Sequence, residues 1–278
     1  MVSRHVLEAE QVEDISMDQN PLRALWAADK PAVNGWLSMP SAVSAEIMAN
    51  AGWDTLTVDM QHGMVDYQTA VSLMQACATR DVTPLVRVPW NEPGIIMKSL
   101  DAGALGVICP MVNTRAEAEA LVSSCRYYPK GARSFGPLRA NMRYGPGYAA
   151  NANKEILVIP MIETREAVAN LDDILSVPGV DALYVGPADL GLSYGYEPKG
   201  DRDEPELLEV IDHILAVAKK HGKYCGIHCG APSYARKMFE KGFRLATIQT
   251  DAMILMNAAK AAVKATNEGG GDDGGAIY

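Results

Sequence analysis

Two carboxylates stand where apolar runs stop. In LVIPMIETREAV, Leu157 to Val168, an unbroken apolar run delivers Glu163 just as a helical pattern begins. Asp189 holds the matching place in ALYVGPADLGL. An unbroken apolar run of this length reads as a strand covered on both faces. An acid at its end either caps the following helix or ligates something. Neighbouring strands lie about 4.8 Å apart, so two bare carboxylates at one level would repel, and a shared divalent cation removes that penalty. Oxygen ligands suit a hard ion, Mg2+ first, with Mn2+, Co2+ or Zn2+ as alternatives.

Other reactive side chains gather at the ends of similar runs. Arg87 sits inside PLVRVPW. A buried guanidinium needs an anionic partner, and its fork suits a carboxylate or an enolate oxygen; a structural ion pair is the alternative. Asp59, Gln61 and His62 close VDMQHG. A histidine there is a natural proton carrier, and Asp101, in KSLDAG, is placed to orient it. Trp36 ends the first run and joins the candidate substrate contacts, while Asn113, His228 and Asp251 end the fourth, seventh and eighth. His228 reads as core or rim. No run contains a lysine, so imine chemistry on a strand lysine is excluded. There is no G-x-x-x-x-G-K-[ST] loop and no G-x-S-x-G elbow.

These residues need a scaffold that brings strand ends together. Eight apolar runs alternate with helical patterns: 32–39, 55–60, 83–89, 106–112, 155–163, 182–189, 224–230 and 245–251. That alternation predicts an α/β fold, a (β/α)8 TIM barrel, whose sites lie at the C-terminal ends of the strands. An open doubly wound sheet is the alternative, weakened by the lack of a G-x-G-x-x-G turn. Between the runs, SAVSAEIMANAG, TRAEAEALVSSC, TREAVANLDDIL and DEPELLEVIDHILAVAKKHG read as helices, the second opened by a capping box from Thr114 to Glu117. Tyr127 to Glu155, with Arg133, Arg139 and Arg143, reads as a long irregular loop on the catalytic side. The expected organisation is one barrel domain over 21–266, a flexible extension over 1–20 and a disordered Gly/Asp-rich tail over 267–278.

With 278 residues, 48% hydrophobic and 21% charged, the chain has the composition of a globular protein. A net charge of -9, with no basic block, disfavours nucleic acid and anionic membrane. No apolar run reaches 18 residues, and the acidic N-terminus lacks a signal core. Cys77, Cys109, Cys125, Cys225 and Cys229, irregularly spaced, read as buried, reduced and structural, which implies a cytoplasmic protein.

VDMQHG, VRVPW, LDAGALGVICPMV, RSFGP, IPMIETREAVANLDDIL and VDALYVGPADLGLSYG together resemble the HpcH/HpaI aldolase/citrate lyase family from about Pro31 to Ala262. The resemblance implies a class II, metal-dependent pyruvate aldolase: a carbon–carbon lyase that adds a pyruvate enolate to an aldehyde or cleaves a 4-hydroxy-2-oxo acid. It implies Glu163 and Asp189 as metal ligands, Arg87 at the enolate oxygen, His62 as base with Asp101 as its partner, and amides around Gly186, Ala188 and Asp189 for the pyruvate carboxylate. It further implies a homo-oligomer, a hexamer of swapped dimers in which the last helix packs on a neighbour. Two positions depart from the family pattern: Gln61 replaces a glutamate, and Met161 replaces a glutamine. The alternatives are oxaloacetate decarboxylation with enolate trapping, of the macrophomate synthase type, and a non-catalytic barrel that binds a 2-oxo acid.

Overall fold

The computed structural model describes residues 19–268. Eight parallel strands close a barrel in chain order. They are β1 (Ala32–Leu37), β2 (Thr55–Asp59), β3 (Thr83–Arg87), β4 (Gly106–Cys109), β5 (Leu157–Ile162), β6 (Ala182–Val185), β7 (Tyr224–Cys229) and β8 (Leu245–Thr250). The expected (β/α)8 barrel is the fold, and seven of its strands start at the first residue of the apolar run. The helices are α1 (Pro21–Ala27), α2 (Ala42–Ala49), α3 (Tyr67–Cys77), α4 (Pro93–Asp101), α5 (Arg115–Cys125), α6 (Leu138–Tyr144) and α7 (Tyr148–Glu155). They continue with α8 (Arg165–Ala169), α9 (Leu171–Leu175), α10 (Pro187–Ser193), α11 (Pro205–Lys220), α12 (Pro232–Lys241) and α13 (Asp251–Glu268).

The continuous apolar runs follow from burial on both faces. Trp36, Leu85, Ile108, Ile159, Met161 and Tyr184 pack together inside the barrel, and Leu22 and Trp26 of α1 join that cluster. The alternate residues Leu37, Val58, Val86, Val107, Val158, Leu183 and Ile227 pack outward beneath the helices. Strand side chains repeat every two residues. Arg87 therefore continues the inward row of Leu85, and Glu163 that of Ile159 and Met161. Register completes the arrangement, since Asp59 of β2 lies opposite Arg87 of β3.

Three expectations change. TREAVANLDDIL is not one helix, because the chain breaks at Asn170 into α8 and α9; the Asn170 side chain donates instead to the Asn113 carbonyl. The stretch from Tyr127 to Glu155 is not wholly irregular, since it forms α6 and α7. Nor does the whole of it lie on the catalytic side. It follows α5, which carries the chain back to the end where strands begin, and Arg139 there donates to the carbonyls of Ala102 and Met74. The capping box of α5 is present in full. The Gly/Asp-rich tail beyond Glu268 and all but the last two residues of the N-terminal extension lie outside the described residues. α13 continues two residues past the expected limit of the barrel.

Candidate active site

Glu163 follows β5 directly and is 3% exposed. Its Oε1 accepts from the Met111 amide at 2.8 Å. Met111 adopts a left-handed backbone, φ 55°, a conformation uncommon outside glycine. At the end of the neighbouring strand β6, Gly186 makes room for the second oxygen: a Cβ there would stand 2.4 Å from Glu163 Oε2. Asp189 lies in the first turn of α10, three residues beyond Gly186, and is exposed. Burial pushes the Glu163 carboxyl up to about 7; the Met111 amide pulls it back, Asp189 adds to the rise and Arg87 opposes it. The two acids are therefore electrostatic neighbours.

Arg87 and Asp59 form a bidentate pair, with Nε donating to Oδ1 at 2.8 Å and Nη2 to Oδ2 at 2.6 Å. Burial alone would raise Asp59, but the hydrogen bonds and charge of Arg87 outweigh it and hold the carboxyl below its usual range. The backbone amides of Gln61 and His62 also donate to Asp59 Oδ1, so Asp59 fixes the loop after β2. The guanidinium lies 4.9 Å from the Trp36 ring, a favourable cation–π placement. Its Nη1 makes no hydrogen bond among the described residues.

The remaining candidates divide. His62 is exposed at the mouth, but the expected pair with Asp101 is not formed within the chain. Asp101 closes α4 at the opposite end of that helix and accepts from Arg133 Nη2 at 2.6 Å. Asp251 is structural, accepting from the Ser38 amide and hydroxyl and from the Ser44 hydroxyl. Among the expected carboxylate-binding amides, that of Gly186 is engaged by the Ile162 carbonyl at 3.4 Å. Those of Ala188 and Asp189, in the first turn of α10, have no intrahelical partner. His228 faces the barrel interior, edge-on to Trp36 at 5.2 Å. The Met111 amide was not foreseen, because a left-handed residue leaves no mark in the residue types.

A divalent cation fits this set. Three carboxylates, Glu163, Asp189 and Asp59, face one guanidinium already committed to Asp59. A buried carboxylate without a cation or a full set of donors is costly. Two oxygen-bearing side chains suit a hard ion that keeps water or substrate oxygens in its shell. Among the described residues no group of three or more His, Cys, Asp or Glu is arranged to hold a metal, so the protein ligands offered here are the two carboxylates Glu163 and Asp189.

Comparison with known proteins identifies relatives along nearly the whole barrel. The family model for HpcH/HpaI aldolase/citrate lyase matches residues 34–258. A hydroxypyruvate/pyruvate aldolase of Rhizorhabdus wittichii is 44% identical over 241 residues, 87% of this chain and 96% of its own length. A 4-hydroxy-2-oxo-heptane-1,7-dioate aldolase of Escherichia coli is 36% identical over 246 residues, 87% of this chain and 93% of its own. The crystal structure of an HpcH/HpaI aldolase/citrate lyase family protein from Burkholderia cenocepacia superposes with a TM-score of 0.83 at 33% identity, covering 90% of this chain and 100% of that one.

Proposed function

The chain belongs to the HpcH/HpaI aldolase/citrate lyase family, and from that premise we propose how its barrel mouth makes and breaks a carbon–carbon bond. It is an aldolase, joining the enolate of a 2-oxo acid such as pyruvate to an aldehyde and cleaving 4-hydroxy-2-oxo acids in reverse. One observation carries the site assignment: Glu163 is buried beside Asp189 and raised to about 7, with no salt bridge of its own among the described residues. A divalent ion held by these two carboxylates, Mg2+ by the hardness of its ligands, supplies Lewis-acid polarisation of the 2-oxo group.

The chain's own residues do the rest. Asp59 grips Arg87 through Nε and Nη2, which leaves Nη1 as the donor toward the oxygen that becomes negative in the enolate. Because the fork is fixed in advance, that donor needs no reorganisation as charge develops. The substrate carboxylate is received by the amides of Ala188 and Asp189, and Trp36 walls the site under the guanidinium. His62, tethered through its amide to Asp59, moves protons at the mouth.

Beyond the site, we read the protein as a cytoplasmic homo-oligomer. Five buried free cysteines support the compartment. The oligomer, by resemblance a hexamer of swapped dimers, is supported by α13, which leaves Met253, Leu255, Met256 and Val263 exposed. Among the described residues no helix is long and apolar enough to cross a membrane.

The test is turnover of pyruvate with a panel of aldehydes before and after chelation, with light scattering on the same sample. Activity should vanish with chelator and return with Mg2+ or Mn2+. Undiminished turnover after exhaustive chelation would remove the metal from the scheme.

A further inference from the structure

His228 stands at the end of β7 and takes no part in the proposed bond-making scheme. A chain of buried polar groups inside the barrel determines which of its nitrogens carries the proton. The chain starts at Asn34, which is fully buried. Its amide nitrogen lies 3.1 Å from the backbone carbonyls of both Thr55 and Gly35 when the amide is turned to donate to them. Carbonyls only accept, so that orientation is fixed. The Asn34 oxygen then faces Thr247 Oγ1 at 2.7 Å and accepts its proton.

Thr247 has one hydroxyl proton and has used it. It must therefore accept from Tyr184 Oη, 2.5 Å away. Tyr184 has likewise used its single proton, so at its contact with His228 Nδ1, at 3.2 Å, the phenol oxygen accepts and the imidazole donates. The proton of neutral His228 thus sits on Nδ1, and Nε2 carries a bare lone pair. Burial, with the charge of Arg87 adding and Asp59 opposing, holds the imidazole down to about 4, so it is neutral at physiological pH. Nε2 has no hydrogen-bond partner among the described residues, and the side chain is partly exposed at the mouth. Its ring edge abuts Trp36 at 5.2 Å, and Trp36 in turn carries Arg87.

We propose that His228 Nε2 accepts a hydrogen bond from a hydroxyl on the aldehyde partner, which makes His228 a specificity-determining residue. The inference rests on the aldolase reading of the same mouth. A neutral acceptor whose tautomer is fixed from behind cannot turn a donor toward the substrate. It rewards a ligand that brings its own proton and leaves a buried lone pair unpaired when the ligand has a methyl group there. The protein spends three fully buried polar side chains, Asn34, Thr247 and Tyr184, on orienting His228.

The experiment pairs glycolaldehyde with propionaldehyde, which differ by a hydroxyl in place of a methyl, as acceptors for pyruvate in the metal-loaded enzyme. The ratio of their kcat/KM values should fall at least tenfold in His228→Leu, mainly through glycolaldehyde. It should fall less in Tyr184→Phe, which frees the tautomer without touching substrate. A ratio unchanged in a folded His228→Leu protein overturns the contact while leaving the aldolase reading intact. Turnover of neither aldehyde by the natural chain overturns both. If His228→Leu does not fold, 15N NMR of the unaltered protein near pH 7 decides: a protonated Nδ1 and bare Nε2 support the proposal, and the opposite tautomer sinks it.

Discussion

Two glutamates flank β5, and both are buried: Glu155 at its start is 1% exposed and Glu163 at its end 3%. Their surroundings differ. Glu155 accepts from the Asn20 amide at 2.8 Å and pairs with Lys154 at 3.0 Å. It ties the N-terminal segment to the floor of the barrel. Glu163 receives one amide and meets another carboxylate. A buried acid with its partners supplied by the chain belongs to the fold. One whose surroundings add negative charge belongs to something that arrives from outside. On the proposed reading the two ends of one strand separate stability from chemistry, as barrels generally do.

The largest effect that can break this division is Glu163→Gln. The side chain keeps its volume and still accepts from Met111, so the fold should persist, with metal-free stability near pH 8 unchanged or raised. Turnover should fall by roughly a thousandfold or more, since the ligand charge is lost, and calorimetry should find metal affinity lowered in parallel. A stable Glu163→Gln protein that binds metal and turns over normally would end the assignment.

Glu155→Leu should do the reverse. It removes the acceptor of a buried backbone N–H, at a cost of about 3 kcal/mol, which is a fall of several degrees in Tm for a chain of this size. kcat per folded molecule should stay within about twofold, because Glu155 lies at the far end of the strand from the mouth. A loss of turnover without loss of stability would place chemistry at the floor and erase the contrast.

How much of this could be read from residue order follows the same division. The strands were legible because parallel strands covered on both sides leave unbroken apolar runs, and Glu163, Asp189 and Arg87 were legible as charges interrupting or ending them. What could not be read depends on register and backbone shape. Asp59 and Arg87 meet because β2 and β3 align them. Thr247 meets Asn34 directly and connects to His228 through Tyr184, with β8 lying between β1 and β7 in register with those residues. Asp101 looked available to His62 because both lie near strand or helix ends. Asp101 is instead the last residue of α4, where Arg133 holds it. The α6–α7 region was missed because LRANMRY and YAANANKE are small and polar, with too few apolar residues to set a period.

The smallest effect sharpens the contrast through pH. Glu163 is raised from an ordinary 4.5 to about 7 in the folded metal-free chain. The folded state therefore holds a proton that the unfolded state has released. This group's contribution to stability is present in full below pH 4.5 and is lost as pH rises through 7. A metal ion needs the carboxylate and competes with that proton. The rise in Tm on adding Mg2+ or Mn2+ should accordingly be largest near pH 8 and small near pH 5.5. At 1.5 pH units below the titration point binding weakens by up to about thirtyfold, at most about 2 kcal/mol of linkage, or a few degrees. Glu163→Gln should flatten this dependence, and Glu155→Leu should leave it in place on a lowered baseline. Equal metal-induced shifts at both pH values in the natural chain would mean that the cation does not displace the Glu163 proton, and the two ends of β5 would no longer differ in kind.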